Sequence, residues 1–209
     1  MKQLNIFILV ISILFFVTSC SKDDPTPEED QEEVGTATLT FTEVEREANG
    51  DHYQYNDITD PEIEEVKFEG KDMLPPVDAH LHLKVGKTYR LELLATDFAG
   101  RETQQTFIGR ADIHQAFILG AEAGSLEYVY ADRDADNQQV NVGVTGYLTV
   151  LQETNTFTLR YVMRHLNPGI KDNITAADWN NTNFTQFTGA NDLDLKVAVH
   201  LVSKDGHHH

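Results

Sequence analysis

The chain has 209 residues, with 34 acidic and 16 basic side chains and a formal net charge of −18 at pH 7. Its length suits one ordinary domain or two small ones, and its acidity argues against a nucleic-acid binder, which presents a basic patch to phosphates. A hydrophobic content of 40% is enough for a core, so the composition is not that of a disordered chain, and a single cysteine leaves no intramolecular disulfide and no Cys-based zinc cage.

Lys2 is the only charge before Lys22, and an apolar run extends from Ile6 to Val17. The run is shorter than the ~20 apolar residues of a membrane span and matches the core of a signal peptide. Val17, Thr18, Ser19 and Cys20 follow. Two small residues directly before a cysteine resemble the lipobox of bacterial lipoproteins, which implies that Cys20 becomes the first mature residue and carries the lipid. The alternative is an ordinary signal peptide with an incidental cysteine. Residues 21–33 hold seven acids, one lysine and two prolines, with no other apolar residue, so the segment reads as an extended, solvated tether. Its start, Ser21-Lys22-Asp23-Asp24 after Cys20, is similar to the acidic export signal of Bacteroidetes surface lipoproteins. That similarity implies an outer-membrane protein facing the cell exterior; the alternative is a spacer on the inner side of that membrane. The expected organisation is a signal peptide over 1–19, lipidated cysteine and tether over 20–33, a folded domain over 34–204 and a flexible histidine tail over 205–209.

From Val34 the pattern changes. Thr36 to Arg46 alternates apolar and polar residues, as does Thr88 to Ala95 after the turn at Gly86 and Lys87, so both predict half-buried strands. Gln104 to Leu119 reads as one long bent strand or two short ones. Leu126 to Tyr130 and Val142 to Leu151 flank an Asp/Asn-rich turn and predict a hairpin. Thr156 to Leu166 places Phe157, Leu159, Tyr161 and Met163 on one face, and Asp192 to Val202 does the same with Leu193, Leu195, Val197, Val199 and Leu201. A helical turn is predicted over Thr175 to Trp179, with Thr175 as cap and Asp178 at its third position. The Asn- and Thr-rich stretch 167–191 reads as a long loop. Seven or eight short strands without a helical period predict an all-β fold, a single antiparallel β-sandwich of Ig-like or Greek-key type.

The second half carries a family resemblance. His114-Gln115 before Ala116-Phe117-Ile118, Tyr130 to Asp134, Val142-Gly143, the strand Thr158 to His165 and the closing strand Asp192 to Val199 resemble a group of small Bacteroidetes surface lipoproteins often labelled type 1 periplasmic binding fold proteins. Leu83 to Tyr89 also matches, and the resemblance covers roughly residues 36–203. Asn137 to Gln139 departs from it, since the family more often has a Gly-containing turn there. The resemblance implies a surface lipoprotein near an outer-membrane uptake system and establishes no chemistry.

Histidines carry the most functional information. Asp78, His80 and His82 alternate with Ala79, Leu81 and Leu83, which on a strand puts the three polar side chains on one face at ~7 Å steps. Neighbouring imidazoles suit zinc, copper or iron, with the carboxylate as ligand or orienting partner; the alternative is a solvated polar face. Two ligands hold a metal poorly, so His114, His165 and His200 are candidates for completing the set. His165 continues the apolar face of its strand and otherwise reads as a satisfied rim residue. His114 shares its face with Asp112 and Arg110 and otherwise reads as a hydrogen-bonded surface residue. The three terminal histidines bind divalent metals weakly if native, and are equally consistent with a truncated purification tag. Asp132, Asp134 and Asp136 form D-x-D-x-D, like the start of a calcium loop, but Asn137 replaces the loop's glycine and Gly143 its closing glutamate, so a solvated turn with at most weak Ca2+ binding is expected. The acids between Asp57 and Glu69 read as a solvated edge that discourages strand pairing, or as a cation-attracting surface.

No serine elbow, H-E-x-x-H or phosphate loop is present, and Cys20 would be acylated, so no enzyme is expected. The sequence reading is a monomeric, lipid-anchored surface protein that captures a ligand, a metal ion or a haem-like complex, for an outer-membrane transporter. The alternatives are a structural or adhesive module using the 167–191 loop and, third, a hydrolase with two close carboxylates.

Overall fold

The structure is a computed structural model and describes residues 34–203. The expected signal peptide, Cys20, the acidic tether and the histidine tail lie outside the described residues. Strand β1 (Thr36–Asn49) turns at Gly50 into β2 (His52–Asp57), and β3 (Ile63–Glu69) then returns to the same edge of β1. The other edge of β1 pairs with β5 (Thr88–Thr96), β5 with β10 (Thr145–Val150), and β10 with β7 (Leu126–Tyr130). A second sheet runs in the order β4 (His80–Lys84), β12 (Gly189–Val202), β11 (Phe157–Leu166), β6 (His114–Leu119). Between β7 and β10, the short strands β8 (Asp132–Arg133) and β9 (Gln139–Val140) form a separate two-stranded ladder.

The period-2 alternation explains how the sheets face each other. Leu39, Phe41, Leu91 and Leu148 of the first sheet and Ile118, Leu159, Tyr161 and Leu195 of the second are all fully or almost fully buried in one core. The all-β sandwich is therefore as expected, with one difference: β4 runs parallel to β12, so the second sheet is mixed. The predicted hairpin also forms, since β7 and β10 pair antiparallel, with the β8–β9 ladder as its extended tip.

Three stretches depart from the local reading. Gln104–Gly109 is a helix, α1, because it crosses from one sheet to the other and buries Phe107 while the Gln104 side chain accepts a hydrogen bond from the Ala95 amide. Residues 63–69 form β3, whose Val66 and Phe68 enter the core while Glu65, Lys67 and Glu69 stay exposed on the other face, so the acidic edge is also a strand. The loop after β11 contains three 3-10 turns, and the second, Ala176–Asn180, has the Thr175–Asp178 capping box. This loop covers the outer face of the second sheet, where Ile174 and Phe184 pack on Phe117, Val162 and Leu166. Strand β6 is consequently buried along its whole length on both faces, which is why it lacks a clean alternation.

The pairing of β11 with β12 contains one irregularity that positions the candidate site. Met163 lies opposite Leu193 and Arg164 opposite Asn191, so Asp192 is an extra residue in a β-bulge. Beside it, Gly189 (φ +149°) lets the strands approach so closely that a Cβ there would sit 2.0 Å from the His165 carbonyl oxygen. Gly50 also has a positive φ (+62°), but a Cβ there meets nothing. Gly189→Ala should therefore destabilise the domain by about 3 kcal/mol or more, and Gly50→Ala by about 1 kcal/mol, as measured by denaturant unfolding. Equal losses at the two positions would contradict the close approach.

Candidate metal centre

His114 and His165 lie directly opposite each other in the β6–β11 ladder, on the face that continues into the core through Ala116, Ile118, Met163 and Tyr161. The bulge delivers Asp192 to the same place from β12. The His114 Nε2 is 3.2 Å from Asp192 Oδ2, and the His165 Nδ1 is 3.6 Å from the same oxygen. The two rings lie edge to face with centroids 4.8 Å apart. The His114 and Asp192 side chains are 0% exposed and that of His165 is 19% exposed, so solvent comes nearest the site on the His165 side. Phe107 of α1 contacts the His114 ring with centroids 5.2 Å apart.

Hydrogen bonding defines what this cluster lacks. His114 Nδ1 lies 3.1 Å from the Arg110 carbonyl oxygen, an acceptor only, so Nδ1 carries the proton and donates it there. In the neutral ring Nε2 then presents a lone pair, and it faces a carboxylate oxygen. Two acceptors at 3.2 Å repel unless a proton or a cation lies between them. His114 Nε2, His165 Nδ1 and both Asp192 oxygens are buried and have no hydrogen-bond partner within the protein. Buried polar atoms are almost always satisfied, and clustered exceptions mark an ion, a water or a functional role. Arg164 does not fill the gap. Its guanidinium donates to Asn191 Oδ1 and to the carbonyls of Phe187 and Gly189, fixing the loop to the outer face of the sheet.

Among the described residues, these three form the one group of His, Cys, Asp or Glu whose ligand atoms all lie within 4.8 Å of each other. The metal residues expected from sequence therefore divide into two sets. His114 and His165 come together on the inner face of the second sheet. His80 and His82 lie on its outer face, as Leu81 and Leu83 occupy the core, and there His80 meets His82 and His82 meets His200. Asp78 meets His80 through its backbone carbonyl oxygen, 2.9 Å from the His80 Nδ1. His114 is not the surface residue expected from its spacing to Asp112 and Arg110, because α1 and the turn after it end before β6 begins and remove those residues from its strand. Asp192 is the member that the sequence did not single out. Its only signal is a polar residue just before the apolar alternation from Leu193, and the bulge that turns it inward has no local signature.

The D-x-D-x-D residues do different work. Asp132 is 2% exposed, and its carboxylate accepts hydrogen bonds from the amides of Gly143 and Thr145. Asp134 accepts from the amides of Asp136 and Gln138 and so closes the β8–β9 turn, in which Asn137 takes a positive φ of 62°. These three carboxylates do not converge on one point. A polar groove of about 440 Å3 lies beside β1 and β5, but its cations are paired, Lys87 with Glu43 and Arg46 with Glu127. No helix among the described residues is long and apolar enough to cross a membrane. No known protein family, curated protein or solved structure matches the chain.

Burial raises Asp132 to about 6, against the opposing effect of its backbone amide donors and Lys171. Burial lowers Lys171 to about 8, and its ammonium ties the loop to the β6 edge through the carbonyls of His114 and Asn141. For Asp132 the folded state binds more protons than the unfolded state between about pH 4 and pH 6, so its contribution to stability falls as pH rises through that window. The stability advantage of the wild type over Asp132→Asn should shrink between pH 4 and pH 7, by up to about 3 kcal/mol. Urea unfolding of both proteins at the two pH values measures this, and an advantage that grows with pH would contradict it.

Proposed function

We propose that this protein is a metal-binding surface module whose primary site is formed by His114 Nε2, His165 Nδ1 and the Asp192 carboxylate. The observation that carries the reading is the convergence of four buried polar atoms with no hydrogen-bond partner. Two ligand atoms each ~2.0–2.1 Å from a tetrahedral ion stand roughly 3.3 Å apart, close to the separations from Asp192 Oδ2 to the two ring nitrogens. Two imidazoles and one carboxylate suit zinc and other first-row divalent ions. The Arg110 carbonyl supplies the outer hydrogen bond that fixes the His114 tautomer. The donors face each other across a few ångströms, which is room for an ion and not for a haem. The partly exposed His165 provides the path for entry.

The lipobox-like segment at Cys20 and the acidic tether support anchoring of this module to an outer membrane, and the net negative charge favours cation approach. In this reading the chain binds metal without catalysis and serves an uptake system. A structural role for the triad is the competing reading. There a protonated imidazole neutralises Asp192, and no metal is taken up.

The test uses the full chain with His207, His208 and His209 replaced by alanine, equilibrated with zinc and desalted. The expected result is tightly held zinc and a raised unfolding temperature, with one equivalent of that zinc and its stabilisation lost in His165→Ala and Asp192→Asn; a site held at 100-fold above its Kd adds about 2.7 kcal/mol of stability. His165 lies at the rim, so its truncation leaves the core intact. Uptake should fall below about pH 6, because protonated imidazole does not ligate. Zinc uptake and thermal shift that are the same in wild type and His165→Ala would overturn the assignment.

A further inference from the structure

We infer a second, surface cation site formed by His80, His82 and His200, separate from the buried triad. The fold, and not sequence proximity, assembles it. The parallel pairing of β4 with β12 places His200 directly beside His82, and the period of two places His80 next along the same face. Leu81, Leu83, Val199 and Leu201 take the opposite, core-facing side, so all three imidazoles stand on the outer face of the second sheet. The His80 and His82 rings lie edge to face with centroids 4.7 Å apart, and those of His82 and His200 lie 6.0 Å apart.

The first of those spacings matches shared coordination, and the second is about 1 Å wider. An imidazole nitrogen lies ~2.0–2.1 Å from zinc, which puts the centroids of two rings on one ion roughly 5 Å apart. The His80 ring is also set up as a ligand. Its Nδ1 faces the Asp78 carbonyl oxygen at 2.9 Å, so Nδ1 carries the proton and Nε2 keeps its lone pair. This is the arrangement in which an outer carbonyl orients a metal-bound histidine. His80 is exposed and His82 and His200 are partly exposed, so solvent reaches all three residues. Three imidazoles with no carboxylate form a neutral donor set that selects zinc or copper(II) over calcium and magnesium. Asp192 and His200 stand eight residues apart on β12, roughly 26 Å along the strand, so one ion cannot bridge the two sites. This site takes its cation directly from solution, whereas the triad holds one in the interior.

Site-resolved chemical modification tests it. The full chain with the three terminal histidines replaced by alanine is treated with diethylpyrocarbonate with and without zinc chloride, and each histidine is quantified by mass spectrometry. His52 is exposed and outside both clusters, so it serves as the internal control. Zinc should protect His80, His82 and His200 together by fivefold or more while His52 reacts as before. His82→Ala should abolish the protection of His80 and His200. His165→Ala should leave it unchanged, which separates this result from the fate of the buried site. Unprotected labelling of the three at millimolar zinc, protection of His52 to the same extent, or protection that survives His82→Ala would each overturn the proposal.

Discussion

Strand β11 is hydrogen-bonded along both edges, to β6 over Arg160–His165 and to β12 over its full length. That double pairing is the constraint on which the rest of the second sheet depends. Because side chains alternate with a period of two, fixing both registers fixes what lies beside every residue of β11 on each face. On the inner face this puts His114 against His165 at the end of a row of core residues. On the outer face it lines up Phe117, Val162 and Leu166 as an apolar strip that only the following loop can cover. A slip of one residue in either ladder would expose that strip and bury Arg160 and Arg164 differently.

The loop from Asn167 to Thr188 follows from the same constraint. An outer face carrying Phe117 and Val162 cannot face water at low cost, and the short 3-10 turns bring Ile174, Phe184 and Phe187 onto it. Phe187 stacks on Phe117 with ring centroids 5.9 Å apart. The loop is held at both ends by buried or half-buried cations acting on backbone carbonyls. Arg164 binds its C-terminal end, and Lys171 binds the β6 edge beside His114. Hydrogen bonds from charged donors to carbonyls are among the stronger ones available, which offsets the cost of burying those charges. The loop therefore supports the candidate site from behind, since Lys171 restrains the backbone of His114.

Much of the fold was legible in local pattern. The alternation of Phe157, Leu159, Tyr161 and Met163, and of Leu193 to Leu201, marks two strands that share one core. The Thr175–Asp178 pair marks a helical turn at the place where it occurs. Gln104–Gly109 was not legible as a helix, because six residues make less than two turns and carry no period, and only the need to cross between sheets decides their conformation. His165 was legible as a residue continuing a core face. His114 was not, because β6 is buried on both sides and its pattern gives no face to assign.

The sequence by itself determined the balance of acid and base, the single cysteine in a lipobox-like setting, and the all-β architecture, since each rests on composition or on a period that a few residues carry. It also put His80 and His82 on one face, as alternation on a single strand requires nothing else. Tertiary structure alone decided which histidines meet. The partner of His82 is His200, from a strand more than a hundred residues later, and the partner of His114 and His165 is Asp192, turned inward by a bulge. Strand pairing between distant segments, and a one-residue irregularity within it, are set by the packing of the whole core, so no local pattern records them.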